Sequence, residues 1–207
     1  MPLAFEERGD GPAVVLVHGH PFDRSMWAPQ QEPLGRGFRV VTPDLRGYGQ
    51  SPATGGPALS STVTMRQLAG DVEALLDELG VESAAVVGLS MGGLVAMELT
   101  IANPRRWWAL GLVATTAEPV SEPERRERLA MAETLEHEGM GPLADSMGAR
   151  LFGPGCPQDV VDRIVVVART ATARAGAPNA SPSPRVRYGF RPERPQRPIR
   201  GRAGARG

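Results

Sequence analysis

The stretch Ala84-Ala85-Val86-Val87-Gly88-Leu89-Ser90-Met91-Gly92-Gly93-Leu94-Val95-Ala96-Met97 decides the fold. A short apolar run of strand type reaches Gly88, and a helix-forming run begins directly after Ser90. Between them, Gly88-Leu89-Ser90-Met91-Gly92 fits G-x-S-x-G. In that pattern a sharp strand-to-helix turn strains the serine backbone, and glycines flank it because a Cβ would strike the neighbouring strand or helix. The turn lifts the hydroxyl clear of the sheet and sets the first N–H groups of the new helix beside it. Ser90 is therefore a candidate nucleophile for acyl transfer. Five residues alone describe an ordinary turn with Ser90 as a helix cap equally well. The strand–turn–helix context selects the nucleophile.

Upstream, Ala13-Val14-Val15-Leu16-Val17 is a continuous β-branched run, the pattern of a strand covered on both faces. It ends in His18-Gly19-His20-Pro21, and Asp23-Arg24-Ser25-Met26-Trp27 then opens a helix. His18 and His20 read as polar loop residues. No third ligand stands at metal spacing beside them, so no metal site is expected. Phe5–Gly9 is a short edge strand, and Phe38–Thr42 is a second buried strand. The latter feeds the turn-rich loop Pro43-Asp44-Leu45-Arg46-Gly47-Tyr48-Gly49-Gln50-Ser51. There Asp44 is either a buried carboxylate paired with Arg46 or a turn residue, structural in both cases. Ala53–Ser60 is a surface loop. Thr64-Met65-Arg66-Gln67 matches a capping box, Leu68, Val72, Leu75, Leu76 and Leu79 recur at helical spacing, and Gly80 stops the helix.

Downstream, the helix after Ser90 runs to about Ala102, where Asn103-Pro104 ends it. Trp108–Ala114 is a further apolar strand. Strands alternating with helices predict a doubly wound α/β sheet, mostly parallel. After Thr116 the texture changes to three helices, over Ser121–Glu138, Gly139–Phe152 and Pro157 to about Ala171, with no strand between them. Residues 1–117 thus read as the core and 118–171 as a helical lid over the strand ends, where open α/β sheets bind ligands. Met131, Leu135, Met140 and Met147 are expected on the inner face of the lid.

Composition narrows the function. A 41% hydrophobic and 22% charged content is that of a globular chain. The N-terminus lacks a basic, apolar leader, and no run is long enough to span a membrane. Cys156 is the single cysteine, which excludes an internal disulfide framework and suits the cytoplasm. All 23 basic residues are arginine, so phosphate-loop, pyridoxal Schiff-base and lysine-base chemistry are excluded. The zero net charge is split: residues 1–171 carry 14 arginines against 22 acids, and residues 172–207 carry nine arginines against Glu193 alone. Residues 172–207 also hold six prolines and no helical or strand period, so a disordered tail is expected there.

Taken together, His18-Gly19-His20-Pro21, Pro43–Ser51 and Gly88–Gly93 resemble the α/β-hydrolase superfamily, in particular small enol-lactonases and carboxylesterases. The resemblance covers the chain to roughly Ala171. It implies Ser90 as nucleophile and an oxyanion hole made by the backbone N–H groups of Met91 and His20. It implies a small ester or lactone as substrate and no organic cofactor or metal. No nucleic acid or membrane partner is expected. Serine at the turn is unlike the aspartate of dehalogenase and epoxide-hydrolase relatives.

One departure stands out. The family's acid follows a later strand and its histidine lies near the C-terminus, in the order Ser, Asp/Glu, His. Here the only histidine after Ser90 is His137, in a charged lid helix with Glu133 one turn back. It is expected to face solvent. His20 is a poor substitute base, because its backbone role already fixes its place. Asp145, Asp159 and Asp162 have no histidine to orient. The expectation is a hydrolase impaired by the lack of a base, or alternatively an inactive domain binding a ligand or partner. Residues 172–207 are expected to be frameshifted sequence. Trp108–Ala114 would then be an unprotected edge strand.

Overall fold

The computed structural model describes residues 3–52 and 63–170. The expected loop over Ala53–Ser60 and the expected tail over 172–207 lie outside these residues. Five strands are present, β1 (Phe5–Arg8), β2 (Ala13–Val17), β3 (Arg39–Pro43), β4 (Ala84–Leu89) and β5 (Trp107–Val113). They form one sheet in the order β1-β3-β2-β4-β5. β1 runs antiparallel to β3, with Phe5 opposite Pro43, and the other pairings are parallel.

The strand residues alternate between two cores, as a sheet covered on both faces requires. Val15 and Val17 join Val41 and Val86 against α2 (Met65–Glu78) and α3 (Met91–Ala102). Val14 and Leu16 join Val40, Ala85 and Trp27 on the opposite face, where α1 (Ala28–Leu34) contributes Leu34. α2 begins with the expected capping box. The Thr64 hydroxyl accepts from the Gln67 N–H and the Gln67 side chain accepts from the Thr64 N–H. Its Leu68, Val72, Leu75 and Leu76 are buried at the expected spacing. The helix expected from Asp23 divides in two. Arg24–Trp27 is a 3-10 turn capped by the Asp23 carboxylate, which accepts from the Ser25 N–H, and α1 starts only at Ala28. Pro29 at its first turn and Pro33 inside it keep α1 short.

The chain leaves β2 toward β3 on one side and returns to β4 on the other. The crevice between the C-terminal ends of β2 and β4 is therefore the topological switch point, the place where sheets of this kind hold ligands. Three helices follow β5: α4 (Glu122–Glu138), α5 (Gly141–Leu151) and α6 (Gln158–Thr170). Ala144 and Met147 of α5 and Ala168 and Ile164 of α6 pack on Phe22 and Met26, just past the end of β2. Leu135 and Met140 are buried as expected, but Met131 is exposed. It lies one turn before Leu135 on α4.

β5 is only half covered. Trp107 is buried and donates its indole N–H to the Leu99 carbonyl, whereas Trp108, Leu110, Leu112 and Val113 are exposed. Among the described residues nothing pairs with its outer edge. Among the same residues, no helix is long and apolar enough to cross a membrane.

Candidate active site

Ser90 stands between β4 and α3 with φ 52° and ψ −114°, a strained conformation that L-residues avoid. The surrounding packing leaves room for nothing larger than glycine. A Cβ on Gly88 would lie 2.1 Å from the Gly92 carbonyl oxygen, and one on Gly92 would lie 2.3 Å from that of Val17. The Ser90 N–H donates to the Val113 carbonyl (2.9 Å), tying the turn to the end of β5. The Ser90 carbonyl accepts from the Gly93 N–H (2.9 Å), the first bond of α3. The residue is exposed, and among the described residues its hydroxyl has no hydrogen-bond partner. Met91 opens α3, and its N–H has no acceptor inside the helix.

The loop after β2 lies against this turn: a Cβ on Gly19 would meet the Leu89 side chain at 2.8 Å and the Ser90 Cβ at 3.4 Å. It contains a cis His20–Pro21 bond. His18, expected as a polar loop residue, is instead fully buried. Its Nε2 accepts from the Leu45 N–H (2.9 Å), so the proton sits on Nδ1, which donates to the Gly19 carbonyl (3.0 Å). With both nitrogens engaged, His18 ties the ends of β2 and β3 together and is neither base nor ligand. Among the described residues no cluster of metal-ligating side chains occurs.

The loop after β3 is built around Asp44. This carboxylate is fully buried and accepts from the backbone N–H groups of Arg24 and Gln50, both at 2.8 Å. Its ion-pair partner is the Arg24 guanidinium, not Arg46. Arg46 reaches α2 and pairs with Asp71, its Nε donating at 2.7 Å. Gly49, at φ 50°, passes so close that a Cβ there would sit 2.2 Å from Asp44 Oδ2. A cavity of about 320 Å³ opens beside this loop, lined by Glu6, Asp23, Arg24, Asp44 and Gln50 among others. Its guanidinium and buried carboxylate satisfy each other, and Ser90 does not line it.

Tyr48 joins His20 and Met91 in a contact that the sequence did not reveal. It is 2% exposed, and its hydroxyl oxygen lies 2.9 Å from His20 Nδ1 and 3.5 Å from Met91 Sδ. Burial pushes its ionisation upward. The signal available was a lone aromatic between two loop glycines.

The other candidates that the sequence suggested fall elsewhere in the structure. His137 is exposed in the last turn of α4 and makes no hydrogen bond with Glu133 or Ser90. Asp145 pairs with Arg169, Asp159 with Arg163 (3.5 Å), and Asp162 accepts from Gln158 Nε2 (2.9 Å). All three are engaged on the surface of the helices.

Burial holds both loop imidazoles neutral. It lowers the His18 pKa and, aided by the nearby His18 and Arg128, pushes that of His20 down to about 4. An unfolded histidine titrates near 6.5. Between those values the unfolded chain binds more protons, so this stability is complete above about pH 6.5 and is lost as pH falls toward 4. Denaturant unfolding at pH 7 and pH 4.5 should show a loss of roughly 1–3 kcal/mol that His20→Asn diminishes. An identical slope in the variant would contradict the assignment.

A family model described as alpha/beta hydrolase fold matches residues 12–136. The chain is 34% identical over 143 residues to 3-oxoadipate enol-lactonase 1 of Acinetobacter baylyi, covering 69% of this chain and 50% of that protein. It is 38% identical over 109 residues to an epoxide hydrolase of Caballeronia sordidicola, covering 52% of this chain and 32% of that one. A thermophilic esterase from Thermogutta terrifontis, solved with malate bound, superposes with a TM-score of 0.80 at 37% identity, over 84% of this chain and 64% of that one. The chain spans about half the length, or less, of such sequence relatives.

Proposed function

Because this chain belongs to the alpha/beta hydrolase fold family, we propose that it acts on small carboxylic esters or lactones through Ser90. The observation that carries this reading is the strained backbone of Ser90 at the head of α3, whose hydroxyl has no hydrogen-bond partner among the described residues. In this reading Ser90 Oγ attacks the acyl carbon, and the carbonyl oxygen takes up the electron pair. The N–H groups of His20 and Met91 donate to that oxygen. The Ser90 proton passes to solvent water; collapse expels the alkoxide, which takes up a proton from water, and leaves an acyl-serine that a further water hydrolyses to the acid, restoring the Ser90 hydroxyl. Serine at this position separates the chain from relatives that form the intermediate on aspartate.

Among the described residues no general base serves Ser90. His18 has both nitrogens occupied, His20 Nδ1 faces Tyr48, and His137 is exposed. A serine without a base is a weak nucleophile, and losing the histidine in serine hydrolases costs on the order of a million-fold in turnover. The reading is therefore of an impaired hydrolase, whose remaining catalysis comes from the oxyanion donors and substrate binding. The lack of a base beside Ser90 among the described residues favours a second reading, a catalytically inactive domain that binds a small ligand or partner. Cys156 as the only thiol supports a cytoplasmic location.

Turnover of p-nitrophenyl acetate by the wild type and by Ser90→Ala separates the two readings. The hydrolase reading expects slow turnover that falls about tenfold or more in the variant. Equal rates in both chains, or no rate above buffer, favour the inactive domain.

A further inference from the structure

The two proposed oxyanion donors come from different elements. His20 sits in the loop after β2, and Met91 opens α3. Their N–H groups stabilise a developing charge only if both point at the same spot, about 2.7–3.1 Å from where the oxyanion forms. Neither element fixes the other by sequence. One atom touches the side chains of both: the hydroxyl oxygen of Tyr48, 2.9 Å from His20 Nδ1 and 3.5 Å from Met91 Sδ. From this convergence we propose that Tyr48 is a positioning residue for the oxyanion hole, registering the loop after β2 against the head of α3. The proposal rests on the reading of Ser90 given above.

Tyr48 is itself anchored to the sheet. Its N–H donates to the Leu45 carbonyl (2.9 Å), closing a turn, and the Leu45 N–H is held by His18 at the end of β2. Gly47 at φ 81° and Gly49 at φ 50° flank it, and these left-handed positions fold the loop so that the ring enters the interior. The ring then stands edge-on to both imidazoles, with centroids 5.1 Å from His18 and 5.9 Å from His20. A phenol suits the junction, because its oxygen both donates and accepts. With the proton of His20 on Nδ1, the phenol oxygen accepts from it and donates its own proton to the Met91 sulfur, so one hydroxyl can serve both partners. Phenylalanine would keep the packing and lose both bonds. A displacement of about 1 Å in a catalytic array costs on the order of 100-fold in rate.

The test is Tyr48→Phe in the full chain, read in two ways. In p-nitrophenyl acetate hydrolysis, the Ser90-dependent kcat should fall about 10- to 100-fold while KM stays within about twofold. A residue that only supported the fold would lower the active fraction in proportion to lost stability, so thermal unfolding is recorded alongside and should move by only a few degrees. In ¹H–¹⁵N spectra of the unliganded protein, the amide signals of His20 and Met91 should move while those of β3 and α2 stay in place. A kcat within twofold of wild type, or unmoved His20 and Met91 amides, overturns the proposal. Should Ser90→Ala and wild type turn over equally, the serine reading falls, and the amide signals alone decide whether Tyr48 sets the donors.

Discussion

Asp44→Ala should lower the unfolding free energy by about 3–5 kcal/mol in denaturant titration, the cost of breaking a buried ion pair by removing one partner. The carboxylate is fully buried, and its loss removes one partner of the Arg24 guanidinium and leaves the N–H groups of Arg24 and Gln50 without their acceptor. Arg24 keeps Glu6 and Gln50 as partners, which sets the expected loss at the lower end of that range. Ser51 also hangs on this residue, its hydroxyl donating to the Asp44 carbonyl (2.7 Å) while accepting from the Ala4 N–H (2.8 Å). That bond is to the backbone and survives the substitution, so the loosening of the loop carrying Tyr48 is expected at Gln50, whose N–H loses the carboxylate. Arg163→Ala is the contrast. Its pair with Asp159 is exposed on the surface of α6, and such pairs are worth about 1 kcal/mol or less. Equal losses in the two variants would refute the assignment of Asp44 to Arg24.

Gly92→Ala should be more damaging still. The added carbon would lie 2.3 Å from the Val17 oxygen and 2.5 Å from the His18 oxygen. Both belong to the backbone of the central strand and its exit, flanked by strands on either side, so neither can retreat. Relief requires α3 to lift off the sheet, which breaks the packing of Val95 and Leu99 and dismantles the turn around Ser90. The expected outcome is a loss above about 4 kcal/mol, or a chain that does not fold. Gly70→Ala marks the opposite extreme. Gly70 lies on the exposed side of α2 with open space around it, so the change should stabilise by roughly 0.5–1 kcal/mol. A soluble, folded Gly92→Ala chain of near wild-type stability would contradict this packing of α3 on β2.

The difference between these glycines was legible in part from the sequence. Gly88 and Gly92 stand at fixed distances from a serine between an apolar run and a helix, and that local pattern dictates a tight crossing. The same held for β2, whose unbroken β-branched run needs cover on both faces, and for α2, whose Thr64–Gln67 box announces its start. What escaped was set by contacts distant along the chain. Nothing in the spacing around Asp44 favours Arg24, 20 positions earlier, over Arg46 two positions later; only the fold of the loop after β2 decides it. His18 looked polar and loop-like because its burial depends on the Leu45 N–H arriving from another strand. Tyr48 was hidden for the same reason, since its partners sit 28 positions before and 43 after. Met131 was misplaced because helical spacing identifies a face without saying how far along it the cover extends.

The half-covered strand β5 also supplies a spectroscopic handle. Of the three indoles, those of Trp27 and Trp107 are buried, whereas Trp108 is 52% exposed beside its buried neighbour. Acrylamide should therefore quench one emitter readily and spare two, with the quenched component on the red side of the spectrum. Any molecule or chain segment that settles on this flank would shield Trp108 and shift its emission to the blue. The fluorescence of the unmodified protein thus reports on occupancy of that flank without a label.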